Sequence, residues 1–350
     1  VITVSASVFQ PLILDSSEGR GQKIVSELVE LDDKLSIHPA YALGSTLRIA
    51  QISAMDRAGR LDRIVSRIKH DELVEVLGFS ATCHFSESSI REWAPDAYVQ
   101  EPQSLHRFSE EFLIRALHFR IGDLAIATNI ARPGAVQFEK AISQRGTKLS
   151  KDGQAFSWIL GEIQHHAESK GWPPLRALEL SSVVNWMANL PGYSSGTSKG
   201  RVSRALSALS YIVEGRPSDH SQVDLVWALL GLEALYGFGN QGLRAQLTEK
   251  TEVLLGPRQS DKKHFGAMYD YRSRFIHGDL DFPPSYRLFE DPEGDDEFAF
   301  QTYECWTVAS AVLISSLQEL VRRNAFDLEF GYAVIEKSVL RVRPDIQPGV

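Results

Sequence analysis

The chain reads as mainly α: an antiparallel helical bundle in the C-terminal half, preceded by an N-terminal domain of mixed or helical character. Three observations predict this. After Pro174, apolar residues recur at three- and four-residue steps in one segment after another. Gly and Pro close those segments at Pro191-Gly192, Gly215, Gly237 and Gly256-Pro257, and short connections imply antiparallel neighbours. A long last stripe of Phe300, Tyr303, Trp306, Ala309, Leu313, Ile314, Leu317 and Leu320 supplies a helix for the others to pack on.

The elements follow in order. Residues 1–14 alternate loosely and predict a strand. Residues 22–35 and 56–77 predict helices, the second from Leu61, Ile64, Val65 and Ile68. An acidic and apolar run from Ser104 to about residue 121 predicts another helix. Arg132-Pro133-Gly134 is a firm break. Residues 135–169 fit strand and helix equally, and Trp172-Pro173-Pro174 reads as the linker between halves. Helices are then expected over 178–190, 201–214, 221–236, 241–255 and 260–277. The segment 221–236 is nearly apolar all round, which marks a buried helix; its exception is Glu233. An acidic, proline-bearing loop over 278–296 leads to the last helix, and 329–343 holds two strand-like runs. The expected division is a sensing or regulatory domain over 1–174, the bundle over 175–325 and a tail over 326–350.

Composition narrows the class. Hydrophobic residues make up 43% of 350, enough for a sizeable core. No apolar run approaches the roughly 20 residues that span a bilayer, so no membrane partner is expected. The opening Val1-Ile2-Thr3-Val4 does not read as a signal peptide. Two cysteines, Cys83 and Cys305, fit a reducing, cytoplasmic setting without a disulfide framework. They cannot make a four-thiolate zinc site, and His165-His166 lacks helical metal-ligand spacing. Residues 194–200 have the residue types but not the spacing of a phosphate loop. Neither metal nor cofactor is therefore expected. A net charge of −8 argues against non-specific coating of nucleic acid, but leaves room for a local basic cleft. Lys199, Arg201 and Arg204, and the pair Lys262 and Lys263, read as solvated helix faces. The tryptophans Trp93, Trp158, Trp172, Trp186, Trp227 and Trp306 read as core or linker rather than as a base-stacking platform.

The most informative stretch is Tyr269-Asp270-Tyr271-Arg272-Ser273-Arg274-Phe275-Ile276-His277-Gly278. Phe265, Met268, Tyr269, Arg272, Phe275 and Ile276 repeat at helical steps, and Arg272 is the one charge in that stripe. A guanidinium keeps its charge, so on an inward face it needs a partner or a task. His277 follows five residues later, then Gly278, a left-handed helix stop. Arg63 with His70 and Arg258 with His264 match loosely, without that context. Tyr271 falls off the stripe and is expected to line the cleft. Glu233 reads either as a carboxylate orienting Arg272 or His277, or as a buried structural ion pair with Arg272, Arg274 or Arg244.

Together with Leu229-Leu230-Gly231-Leu232-Glu233-Ala234-Leu235 upstream, this stretch resembles the HEPN superfamily, and more narrowly its ApeA-like branch. The resemblance covers residues 178–323; the N-terminal half resembles no family. It implies a small helical bundle that dimerises and cleaves RNA without metal, with Arg272 and His277 catalytic. Ser273, Arg274, Tyr271, Asp279 and Glu233 are the residues expected in support. Ser273 departs from the Asn, Asp or His often found there in active members. The resemblance also implies a stress-response, toxin–antitoxin or phage-defence setting, with an antitoxin or regulatory partner.

The residue types suit that chemistry. Histidine exchanges protons near neutral pH, and arginine grips phosphate oxygens in a planar fork. Residues five apart on a continuous helix point about 140° apart. One chain's Arg272 and His277 therefore meet only if the helix ends between them or a second chain joins them. A non-catalytic module binding RNA, nucleotide or protein, and a purely architectural helical module, are the competing functions.

Overall fold

β1 (Ile2–Leu14) organises the N-terminal half. Its first half alternates, with Val4, Ala6 and Val8 buried and Thr3, Ser5 and Ser7 on the other face, and residues 10–14 are buried on both faces. β1 pairs antiparallel with β3 (Val74–Phe85) from Ile2↔Phe85 to Ile13↔Val74. β3 pairs in turn with β2 (Ala42–Gln51). On its other side β1 takes β4 (Val136–Phe138) along residues 12–14 and β5 (Ile142–Arg145) along residues 7–9. β6 (Lys148–Lys151) closes a hairpin with β5. Cross-strand hydroxyl pairs, Ser5 with Thr82 at 2.8 Å and Ser7 with Ser80 at 3.2 Å, make one end of the outer face polar, while Val76 and Ile142 are buried at its other end with Leu61 and Val65. The computed structural model describes residues 1–15, 19–31, 42–52, 61, 65, 74–99, 101–156, 160–193, 197–214, 222–237, 242–258, 262–281 and 297–330.

This six-stranded antiparallel sheet corrects the expectation of a mainly α chain. The N-terminal half is a sheet with helices packed on it, and the whole is mixed. Residues 74–77, expected to end a helix over 56–77, belong to β3; of the rest of that segment, only residues 61 and 65 lie among the described residues. Val74-Glu75-Val76-Leu77 suits either element over so short a span, and pairing with β1 decides. The undecided segment 135–169 holds β4, β5 and β6, each three or four residues, too short for periodicity to register.

Helices cover the sheet's dry face. α1 (Arg20–Glu30) buries Ile24, Val25 and Leu28. α2 (Glu87–Trp93) and α3 (Asp96–Val99) lead into α4 (Pro102–Ala131), which packs along β1. α5 (Leu160–Lys170) follows the hairpin. Beyond the junction come α6 (Leu180–Ala188), α7 (Arg201–Val213), α8 (Gln222–Tyr236), α9 (Leu243–Leu255), α10 (Lys262–His277) and α11 (Glu297–Arg323). α11 touches α4 through α10, with Trp306, Ala309, Leu313, Ile314, Leu317 and Leu320 buried. Phe300, expected in that stripe, is 62% exposed. No described helix is long and apolar enough to cross a membrane. The loop beyond residue 281 and the strand-like tail beyond residue 330 lie outside the described residues.

One buried cluster runs from Val4 to Val321, across the Trp172-Pro173-Pro174 junction. Polar ties cross it too. The Gln318 amide of α11 donates to Ile130 O at 2.7 Å and Arg176 O at 2.8 Å, and accepts from Arg176 N. Arg132 at the end of α4 grips Glu27 of α1 with two bonds of 3.0 and 2.9 Å. Glu27 also accepts from Leu180 N, the first residue of α6.

The break after α4 has a steric basis. Gly134 sits at φ 70°, and a Cβ there would lie 2.1 Å from Gly161 N and 2.2 Å from Gly161 Cα. Backbone cannot yield as a side-chain tip can. Gly134→Ala is expected to lower stability by at least about 2 kcal/mol, combining left-handed strain with overpacking. Urea denaturation measures it; an unchanged midpoint would show that the α4–α5 contact relaxes freely.

Candidate functional site

α10 lies between α8 and α11. Met268 and Tyr271 are buried, Tyr269, Arg272 and Phe275 half-buried, and Ile276 is 49% exposed. The inward face therefore centres on Met268, Tyr271, Arg272 and Phe275, the three- and four-residue steps from Met268. Two expectations are corrected. Ile276 does not belong to the buried stripe, and Tyr271 does not line a cleft. Tyr271 is 5% exposed, and its hydroxyl meets the Thr302 hydroxyl of α11. That polar contact lets the ring turn inward. His264 and Phe265 have side chains outside the described residues.

Arg272 faces Glu233 of α8. The ion pair is loose: Nη2 stands 3.7 Å from Glu233 Oε2, and the side chains keep only 21% and 17% exposure. The guanidinium also lies over the Tyr269 ring, 6.0 Å from its centre. Two atoms of the pair, Arg272 Nε and Glu233 Oε1, are buried without a hydrogen-bond partner. Burial raises the Glu233 carboxyl above the usual glutamate value, against the opposing pull of Arg272. Burial likewise raises the Tyr269 hydroxyl, with Glu233 adding to the rise and Arg272 opposing it. A pair serving structure alone is expected to satisfy its polar atoms, since each unmet one costs about 1–3 kcal/mol. This pair leaves two unmet. It is a weak staple.

The helix then stops as the glycine predicts. Gly278 takes φ 78°, its N–H donates to Phe275 O at 3.3 Å, and Asp279 N–H donates to Arg274 O at 2.8 Å. Those two bonds are the Schellman closure. They hold His277, exposed, on the last helical residue. Arg274 is exposed and reaches Asp279 O at 3.5 Å; Asp279 is exposed and Ser273 half-buried. α10 is helical through His277, so the helix does not end between Arg272 and His277. The two side chains leave the axis about 140° apart, and one chain does not bring them together.

The structure brings Arg272, Glu233 and Tyr269 together and leaves His277, Arg274 and Asp279 at the helix end. Tyr269 enters the sequence reading only as a member of the apolar stripe. Its signal was its place three residues before Arg272, which sets its ring beside the guanidinium. Of the other arginine–histidine matches, Arg258 is buried, donates to Glu252 at 3.0 Å and stacks over Trp172. Arg63 and His70 lie outside the described residues. Burial pushes the thiols of Cys83 and Cys305 up to about 11 and about 12, which makes neither a ready nucleophile. Among the described residues no group of three His, Cys, Asp or Glu side chains is placed to hold a metal ion.

Comparison with known proteins adds no relative: no family model, curated protein or solved structure matches this chain.

Proposed function

We propose that this protein is a metal-independent endoribonuclease of HEPN type, acting in the cytoplasm as a homodimer. Arg272 binds the scissile phosphate and steadies charge on the pentavalent phosphorane. His277 moves the proton of the attacking 2′-hydroxyl or of the leaving 5′-oxygen. The observation that carries the reading is the half-buried Arg272, loosely held by Glu233 with its Nε unbonded, one turn before an exposed His277. Their divergence on one helix favours a two-fold dimer, in which the partner subunit contributes its own pair to each phosphate. The N-terminal sheet domain would sense or regulate in stress response or phage defence, with an antitoxin or regulatory partner.

Product chemistry tests it. Single-stranded RNA incubated in EDTA is expected to give 2′,3′-cyclic phosphate and 5′-hydroxyl ends, while DNA stays intact for lack of the 2′-hydroxyl. Cleavage of DNA, or loss of activity in EDTA, overturns the reading.

One observation favours a second reading, a non-catalytic HEPN module that binds RNA, nucleotide or a protein partner. Glu233 already faces Arg272, and His277 makes no hydrogen bond or ion pair among the described residues. RNA retained without cleavage would select it.

A further inference from the structure

A second feature stands on the other flank of α8. Tyr211 of α7 and Trp227 of α8 stack face to face, ring centres 4.1 Å apart and planes within 7°. Elsewhere Trp93 meets Phe112, and Phe138 meets Phe156, edge-on at 87°. Tyr211 is 43% exposed although one ring face rests on Trp227. A flat aromatic surface therefore faces outward.

Positive charge lies along the same helix face. Arg204 precedes Tyr211 by seven residues, two helical turns, and is exposed. Ser207 lies between them, its hydroxyl bonded to that of Ser198 at 2.5 Å, and exposed Lys199 precedes the helix. Glu214, the acid that ends α7, is engaged by the Gln154 amide at 2.9 Å. Lys199 and Arg204 are solvated, as a helix face of that pattern predicts, and Trp227 is half-buried against the core. The stack and the proposed site share α8. Trp227 and Glu233 are six residues apart on α8, about 9 Å along its axis and on opposite flanks of its outer face.

We propose that the Tyr211–Trp227 stack, with Arg204 and Lys199, binds single-stranded RNA and feeds it toward Arg272. An unpaired base continues the stack on Tyr211, while the cations meet neighbouring phosphates. Stacking takes any base, so this contact supplies affinity without sequence preference. The inference rests on the ribonuclease reading for its substrate, but binding can be measured without cleavage.

The test is fluorescence anisotropy with a labelled, unstructured RNA oligonucleotide, on the full chain carrying His277→Ala. Tyr211→Ala is expected to weaken binding at least about fivefold, the lower end for loss of one base–aromatic stack. Tyr211→Phe keeps the ring and is expected to bind as the parent does. Arg204→Gln is expected to lower the slope of affinity against salt by about one, for one lost phosphate contact. Circular dichroism melts confirm that each variant folds. Parent-like binding by folded Tyr211→Ala overturns the proposal, as does absence of RNA binding by the parent. The two readings fail separately. Tyr211-dependent binding by a wild-type chain that cuts no RNA sinks the ribonuclease and leaves the RNA surface standing. Cleavage by a wild type whose Tyr211→Ala variant binds unchanged does the reverse.

Discussion

His277→Ala and Arg272→Ala are each expected to lower RNA cleavage by at least about a hundredfold, the scale for losing an acid–base group or a donor to transition-state charge. Single-turnover cleavage of a labelled RNA measures it. Neither change should unfold the protein. His277 is exposed at the helix end, and Arg272 makes one ion pair at 3.7 Å. Arg272→Lys is expected to recover only part of the rate, because an ammonium cannot hold two phosphate oxygens in a planar fork. Mixing Arg272→Ala with His277→Ala subunits separates the dimer reading from a one-chain site. If each active centre draws on both chains, mixed dimers differ in rate from either variant alone. Full activity in His277→Ala would end the assignment. Arg258 is a poor control for this series. Arg258 is buried and pairs with a half-exposed Glu252, so Arg258→Ala tests stability, whatever its spacing from His264.

Arg132→Ala is expected to cost about 3–5 kcal/mol of stability, the usual loss when one partner of a buried ion pair is removed. Arg132 keeps only 4% exposure, and Glu27 would be left with a charge and no fork to hold it. Urea denaturation gives the number. A loss below about 1 kcal/mol would mean that water replaces the guanidinium. Glu27→Ala is expected to cost a similar amount, and the double variant less than the sum, since both remove one interaction. The pair also sets an acid limit. Burial alone would raise the Glu27 carboxyl, but the Arg132 and Leu180 hydrogen bonds and the charges of Arg132 and Lys23 hold it below its ordinary 4.5. A carboxylate with a lowered folded pKa lends stability that is full above the unfolded value and is lost as pH falls through the folded one. Wild type is therefore expected to lose stability below about pH 4.5, and Arg132→Ala to lose less over that window.

Period and punctuation by themselves determined the helices of the C-terminal half. Val202, Ala205, Leu206, Leu209 and Ile212 recur at helical steps, and all five are buried on α7. A helix makes its hydrogen bonds within one segment, so thirteen consecutive residues carry enough pattern to declare it. Gly278 declared its own role for a similar reason: a left-handed helix stop is a local requirement. That Glu233 needs a cationic partner was also legible, as a charge in otherwise apolar surroundings; the fold selects Arg272 from the candidates.

Tertiary structure alone decided the sheet. β4, β5 and β6 are too short to show a period; β4 and β5 exist through the distant β1, and β6 through its hairpin with β5. Val74-Glu75-Val76-Leu77 becomes strand because β1 offers it a ladder more than sixty residues away. The inward turn of Tyr271 depended on Thr302, and the Tyr211–Trp227 stack on the packing of α7 against α8. The Arg132–Glu27 bond joins residues 105 positions apart. Local pattern reports what a segment can satisfy within itself; it is silent on polar and aromatic groups whose partners arrive only when the chain closes.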